Sequence, residues 1–324
     1  MASASTVMQI GAKVPNSGPL PASLGIGAMA AELERAGFDS LWVSDHVVMP
    51  AAISSPYPFA ADGKVTWPTD APYIDAMIAL TAIAAATQRA RIGTAVLVLP
   101  LRQPVVLAKQ AASIDVLSGG RLVVGVGAGW LKTEFDAVVT TPFPDRGKVT
   151  DEYIDAFRVL WNDAKPKFDG KFVKFDGIVL EPKPVQKPVP IWVGGEGMNA
   201  IRRAARVAES WYPIGSNNAF LLDTQPRLES GIARLRQATA EAGRDPASMG
   251  VSFRVKRYGS SVPPKANNGE RRLFSGSEAD LIADFRALKT MGVTAIDVDF
   301  GGRSTADDIL AEMKRFRAAV IEKI

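Results

Sequence analysis

Cysteine is absent from this chain of 324 residues, and histidine occurs once, as His46. The first absence excludes a disulfide framework, a thiolate metal site, an iron–sulfur cluster and a cysteine nucleophile. With one imidazole and no H-E-x-x-H, only carboxylates are left for a metal. The best same-face pair is Asp297 with Asp299, which a barrel-rim or salt-bridge role explains better, so no metal is expected. No apolar run approaches the roughly 20 residues of a spanning helix. The opening MASASTVMQIG lacks the basic patch and apolar stretch of a secretory leader, so a cytoplasmic protein off the membrane is expected. Charge of one sign is also scarce: 38 Lys and Arg stand against 34 Asp and Glu, a net +4. That is no basic stripe for nucleic acid, although it suits an acidic cofactor tail or substrate. G-x-S-x-G and a Walker lysine are missing, and the adjacent Ser44-Asp45-His46 cannot converge as a hydrolase triad.

What is present is an apolar fraction of 47% with 22% charged residues, enough for a large core. Short β-branched runs alternate with segments of helical period, the pattern of parallel βαβ units. Strands are expected at Met8–Val14, Ser40–Ser44, the RIGTAVLVLP run, RLVVGVGAG, Pro190–Val193, Trp211–Ile214, Val251–Val255 and Ala295–Phe300. Helices are expected around Ala22–Arg35, Tyr73–Gln88, Pro104–Leu117, Asp145–Trp161, Glu278–Met291 and the C-terminus, with shorter ones after strands five and six. Eight such units favour an α/β fold of one domain over residues 1–324, a (β/α)₈ barrel rather than an open doubly wound sheet. Residues 163–190 read as an inserted hairpin with a Pro-rich connector, and the polar stretch 256–276 as a long mobile loop. The Ala-rich helix Tyr73–Gln88 suits either a homodimer contact or its own barrel.

A barrel places its chemistry where strands end at their C-terminal side. His46 stands there after strand two, able to give or take a proton near neutrality, with Asp45 beside it to orient it or bind a cofactor; a loop-capping histidine is the plain alternative. GVGAGW, Gly125 to Trp130, is not a dinucleotide fingerprint, because Trp130 occupies the third glycine position. It reads either as a place where a planar ring lies on bare backbone or as tight packing at the rim. VGGEGM joins strand five to a helix start, which is either a phosphate loop or an ordinary turn. Glycoside hydrolysis is a weak competitor, since no acid stands out where GAG runs into Trp130.

SLWVSDH, the run RIGTAVLVLPLRQPVVLAKQAASIDVLSGGRLVVGVGAGW and FDGKFVKFDGIVLEPKPVQKPVPIWVGG, in that order, resemble the bacterial luciferase-like oxidoreductases, most specifically over residues 8–208. The resemblance implies a (β/α)₈ barrel holding flavin mononucleotide (FMN) or the deazaflavin coenzyme F420. The Asp-His pair looks more like the deazaflavin branch, in which the carboxylate touches the cofactor and the histidine is the acid/base; those roles fall on Asp45 and His46. It also implies a bulge with a cis peptide between Ala95 and Val96, ring and side-chain contacts from Val98, Gly129 and Thr133, and a phosphate loop of Gly194, Gly195, Glu196, Gly197 and Met198. Arg146 matches a basic residue near the phosphate, or is a solvated helix-start arginine. Sugar-phosphate dehydrogenases of that branch carry glutamate directly after the glycine run. Trp130 stands there instead and suggests an apolar or aromatic substrate wall, or core packing. The expected activity is hydride transfer to or from a small organic molecule. The alternatives are an FMN-dependent monooxygenase served by a separate reductase, and a non-catalytic flavin or deazaflavin carrier.

Overall fold

A computed structural model describes residues 8–18, 25–65, 67–301 and 305–324. In chain order the strands are β1 (Gln9–Lys13), β2 (Ser40–Val43), β3 (Arg91–Thr94), β4 (Leu97–Val98), β5 (Leu122–Gly127), β6 (Phe168–Asp169), β7 (Lys174–Phe175), β8 (Ile191–Gly194), β9 (Ser210–Tyr212), β10 (Gly250–Val255) and β11 (Ala295–Val298). The helices are α1 (Ile26–Arg35), α2 (Ala76–Ala86), α3 (Pro104–Leu117), α4 (Lys132–Val138), α5 (Arg146–Asn162), α6 (Met198–Val207), α7 (Gln225–Glu241), α8 (Glu278–Thr290) and α9 (Ala306–Ala319). The start expected for the first helix, residues 22–24, lies outside the described residues.

Nine strands pair in parallel in the order β3-β2-β1-β11-β10-β9-β8-β5-β4, and β3 pairs again with β5 through Ile92 and Leu122, closing the sheet. Because β3 and β4 are two pieces of one strand position broken at Ala95–Val96, the barrel has the eight positions the sequence suggests. That peptide is cis, as the resemblance implies. Buried side chains at helical spacing seat the outer layer: Met29 and Leu33 on α1, Tyr153, Phe157 and Leu160 on α5, Ile309, Met313 and Phe316 on α9.

Inside the barrel Trp42, Trp192 and Tyr212 pack with ring centroids 4.7 to 5.5 Å apart. The neighbouring strands yield room for Trp42 by having no side chain: a Cβ at Gly93 would lie 2.5 Å from its ring, and one at Gly11 2.6 Å from its indole nitrogen. Aromatic volume thus fills much of the barrel interior.

The insertion is a short antiparallel hairpin, β6 with β7, and its connector is pinned where Gln186 donates to Asp115 on α3 at 2.7 Å. The segment 256–276, expected as a long mobile loop, carries its own anchors. Arg271 pairs with Asp284 and Arg272 with Asp223, while Leu273 and Phe274 are buried, so ion pairs and apolar anchors fix a stretch whose composition reads as solvated. The Ala-rich α2 packs Met77, Leu80 and Ile83 inward, with Ile78 on its exposed side. Among the described residues no helix is long and apolar enough to cross a membrane.

Candidate functional site

Parallel register brings the ends of all eight strand positions to one rim. The chain leaving β2 there is fixed by Asn16, which is fully buried, accepts from the Ser44 N–H at 3.1 Å and donates to the carbonyls of Ser44 and Ile74 at 2.9 Å. His46 follows. Its Nδ1 lies 2.8 Å from Glu134 Oε2, while Glu134 Oε1 accepts from the backbone N–H groups of Val47 and Val48 at 2.6 and 3.3 Å. Glu134 is 2% exposed and sits in the first turn of α4. An acid that also holds the His46 loop orients Nδ1–H toward itself, which leaves Nε2 as the nitrogen presented to a reactant. Among the described residues Nε2 makes no hydrogen bond. The expectation that no acid stands out where GAG runs into Trp130 is corrected here: Glu134 lies four residues past Trp130.

Asp45 faces the other way. Its side chain is wholly buried, with Oδ1 2.5 Å from the Arg102 guanidinium and Oδ2 accepting from the Val98 N–H at 3.0 Å. Burial pushes its carboxyl up from the ordinary range, against the pull of Arg102. Both oxygens are bonded to the wall that carries β4. Arg102 reaches on to Asp75, the N-cap of α2, at 2.5 Å.

The wall is shaped for close approach. The Val96 side chain occupies the space of two missing ones, 2.7 Å from a Cβ built on Gly127 and 2.9 Å from one on Gly194. Gly129, at a φ of 83° that favours glycine, would place a Cβ 2.7 Å from Val98. Ala95 and Val98 are buried beside it, and Thr133 is exposed on α4. Arg146 Nε donates to the Gly129 carbonyl and Nη1 to that of Phe143, both at 3.1 Å, over the Phe143 ring, so the arginine braces the glycine turn.

An aromatic roof crosses the rim. Trp130 stands edge-on to His46 at 6.3 Å and to Tyr57 at 5.1 Å; Tyr57 meets Trp67, and Tyr73 meets His46 at 5.6 Å. Asn218, after β9, donates to the Pro58 carbonyl. Lys256, following β10, donates from Nζ to Tyr57 Oη at 2.6 Å and lies over the same ring. Below it Arg254 binds the Ala95 carbonyl and faces Asp297 at 3.8 Å and Asp299 at 3.3 Å; Tyr212 donates to Asp297 at 2.5 Å and Lys13 pairs with Asp299. The Asp297–Asp299 pair therefore has the salt-bridge role.

Burial, with Arg254 and Arg257 adding repulsion, lowers Lys256 to about 7, and burial raises Asp297 to about 6. Between pH 7 and the unfolded lysine's ordinary value of about 10.4, the unfolded chain holds a proton that the folded one has released, so folding stability rises with pH across that window. Lys256→Met removes this dependence. The stability of wild type relative to the variant is expected to improve steadily from pH 7 to pH 10 in denaturant titrations; a pH-independent difference would refute the assignment.

The family model described as luciferase-like monooxygenase matches residues 11–260. An uncharacterised protein of Mycobacterium tuberculosis is 33% identical over 265 residues, covering 82% of this chain and 86% of that one. An FMNH2-dependent dimethylsulfone monooxygenase of Pseudomonas putida is 28% identical, over 74% and 79%. Among solved structures, an F420-dependent secondary alcohol dehydrogenase in complex with an F420-acetone adduct superposes with a TM-score of 0.73 at 20% identity, over 97% of this chain and 99% of that one.

Proposed function

The chain belongs to the luciferase-like monooxygenase family, and from that premise we propose that it is a deazaflavin (F420)-dependent oxidoreductase that moves a hydride to or from a small organic substrate. The observation that carries this reading is His46, held through Nδ1 by a buried glutamate with Nε2 left toward the rim. Exchange of a hydride at a carbon bearing oxygen requires a proton to be moved at that oxygen, and a tautomer-fixed imidazole is suited to move it. Gly127, Gly129 and Gly194 let the Val96 and Val98 side chains lie close against the strand ends, and the apolar wall they form suits the face of a flat ring. A bound deazaflavin supplies the carbon that carries the hydride.

Everything else belongs to the protein. Glu134 keeps Nε2 free to take a proton from an alcohol or, once the ring is protonated, to give one to a forming alkoxide. Asp45, through Arg102 and the Val98 N–H, fixes the wall. Trp130, Tyr57 and Tyr73 exclude water around His46 and offer an apolar, aromatic surface to the substrate. The similarity to an FMNH2-dependent monooxygenase favours a second reading, in which a reductase partner delivers reduced flavin and oxygen is consumed.

Parallel fluorescence titrations with oxidised F420 and FMN test the choice. The expected result is preferential, micromolar or tighter binding of F420, followed by anaerobic turnover with alcohols, ketones or activated alkenes. Preference for FMN with substrate-dependent oxygen uptake would establish the second reading, whereas tight binding without any substrate-dependent redox change would leave a carrier protein.

A further inference from the structure

Glu196 is an acid in the middle of the expected phosphate loop. It is 2% exposed; Oε1 accepts from the N–H groups of Ile214 and Gly215 at 2.8 and 3.2 Å, and Oε2 makes no hydrogen bond although it is buried and the Asn217 amide lies near. Ser216 Oγ, one residue beyond those N–H groups, is likewise buried without a partner. The segment leads straight into α6, a helix of 10 residues whose N-cap, Gly197, supplies no side-chain cap. Gly195 turns the chain at a φ of 108° with Ala200 3.0 Å from where its Cβ would be. A helix N-terminus attracts anions, and a carboxylate beside it opposes them. The loop therefore combines a weak anion site with a fixed penalty on negative charge.

We propose that Glu196 is a specificity residue of this loop, which accepts the singly charged phosphodiester of a deazaflavin tail and disfavours the doubly charged phosphomonoester of FMN. The inference rests on the deazaflavin reading and names how the site would enforce it. Coulomb repulsion scales with the ligand's charge, so a dianion meets twice the opposition of a monoanion at the same place. Burial pushes the Glu196 carboxyl up from its ordinary value. Once the carboxyl is ionised, a dianion that avoids the repulsion has to bind together with a proton, at a cost that grows with pH, so the test belongs in alkaline solution.

Binding to wild type and to Glu196→Gln is measured at pH 8.5 with FMN, riboflavin and F420. The amide retains an oxygen for Ile214 and Gly215 and places a donor where Oε2 stands. In wild type, FMN is expected to bind within about threefold of riboflavin, which lacks the phosphate. In the variant, FMN should bind at least about tenfold tighter than riboflavin, with riboflavin itself unchanged and F420 strengthened by only about the square root of the FMN gain. Retained riboflavin affinity shows that the variant is folded. If it is lost, the wild-type ratio decides alone. Wild type that already binds FMN tenfold tighter than riboflavin, binds neither flavin, or is matched in ratio by a folded variant overturns the proposal. Failure of F420 to bind, with the FMN gain present, removes the deazaflavin reading and leaves the Glu196 assignment standing.

Discussion

Replacing His46 by alanine is expected to lower turnover by about 10²–10⁴-fold while cofactor affinity stays within about twofold, because the imidazole acts on a proton in flight and not on the bound ring. Since such an interaction forms only in the transition state, kcat and kcat/KM should fall together. Glu134→Gln gives the companion result. The amide still offers an oxygen to the Val47 and Val48 N–H groups, and the loop stays in place. Its –NH₂ group is free to face Nδ1 and favour the tautomer protonated at Nε2, and it removes the negative charge that stabilises an imidazolium. A loss of about 10–100-fold with a displaced pH–rate profile is expected, since Glu134 is a positioning residue and its charge acts through the imidazole. Steady-state kinetics with an identified substrate check both. Unchanged turnover in His46→Ala would remove the imidazole from the mechanism.

Much of this geometry was legible from period and strand order. Apolar runs covered on both faces, alternating with amphipathic helices such as Arg146–Asn162, favoured a closed parallel sheet, and that sheet placed His46 on the rim before any contact was known. Glu134 was hidden because its partner is 88 residues away and its helix is only 7 residues long, too short to show a period. Asp45 illustrates a signal that was present. Neighbouring residues of extended chain point to opposite sides, so a rim-facing His46 turns Asp45 into the wall, where Arg102 neutralises it. Arg254 offered another: a charged residue inside the apolar strand GVSFRV must have buried partners, and Asp297 and Asp299 are two residues apart on the adjacent strand end. In the segment 256–276 composition records polarity but not pairing: Arg271 and Arg272 pair with Asp284 and Asp223.

Arg102→Met is expected to destabilise the protein by about 3–5 kcal/mol, the range for removing one partner of a buried ion pair. The guanidinium is the charged group that meets Asp45 inside the wall, and without it the carboxylate keeps only the Val98 N–H. Asp75 loses the same partner, but it is half-exposed and still caps α2 through the N–H groups of Met77 and Ile78, so the larger share of the loss falls on Asp45. The double variant Asp45→Asn/Arg102→Met separates charge from shape. Asparagine retains an oxygen for the Val98 N–H and leaves no buried charge, so the pair should recover a large part of the lost stability, measured as coupling between the two sites in denaturant unfolding. The wall reports on the site as well. Val98 hangs on Asp45 and lies against Gly129, so the single variant should weaken cofactor binding more than it alters the His46 step, raising the cofactor's Kd while turnover at saturating cofactor changes little. Additive single effects with no coupling would show that Arg102 stabilises the wall by packing alone, and a selective fall in turnover with unchanged cofactor affinity would place Asp45 at the reacting atoms after all.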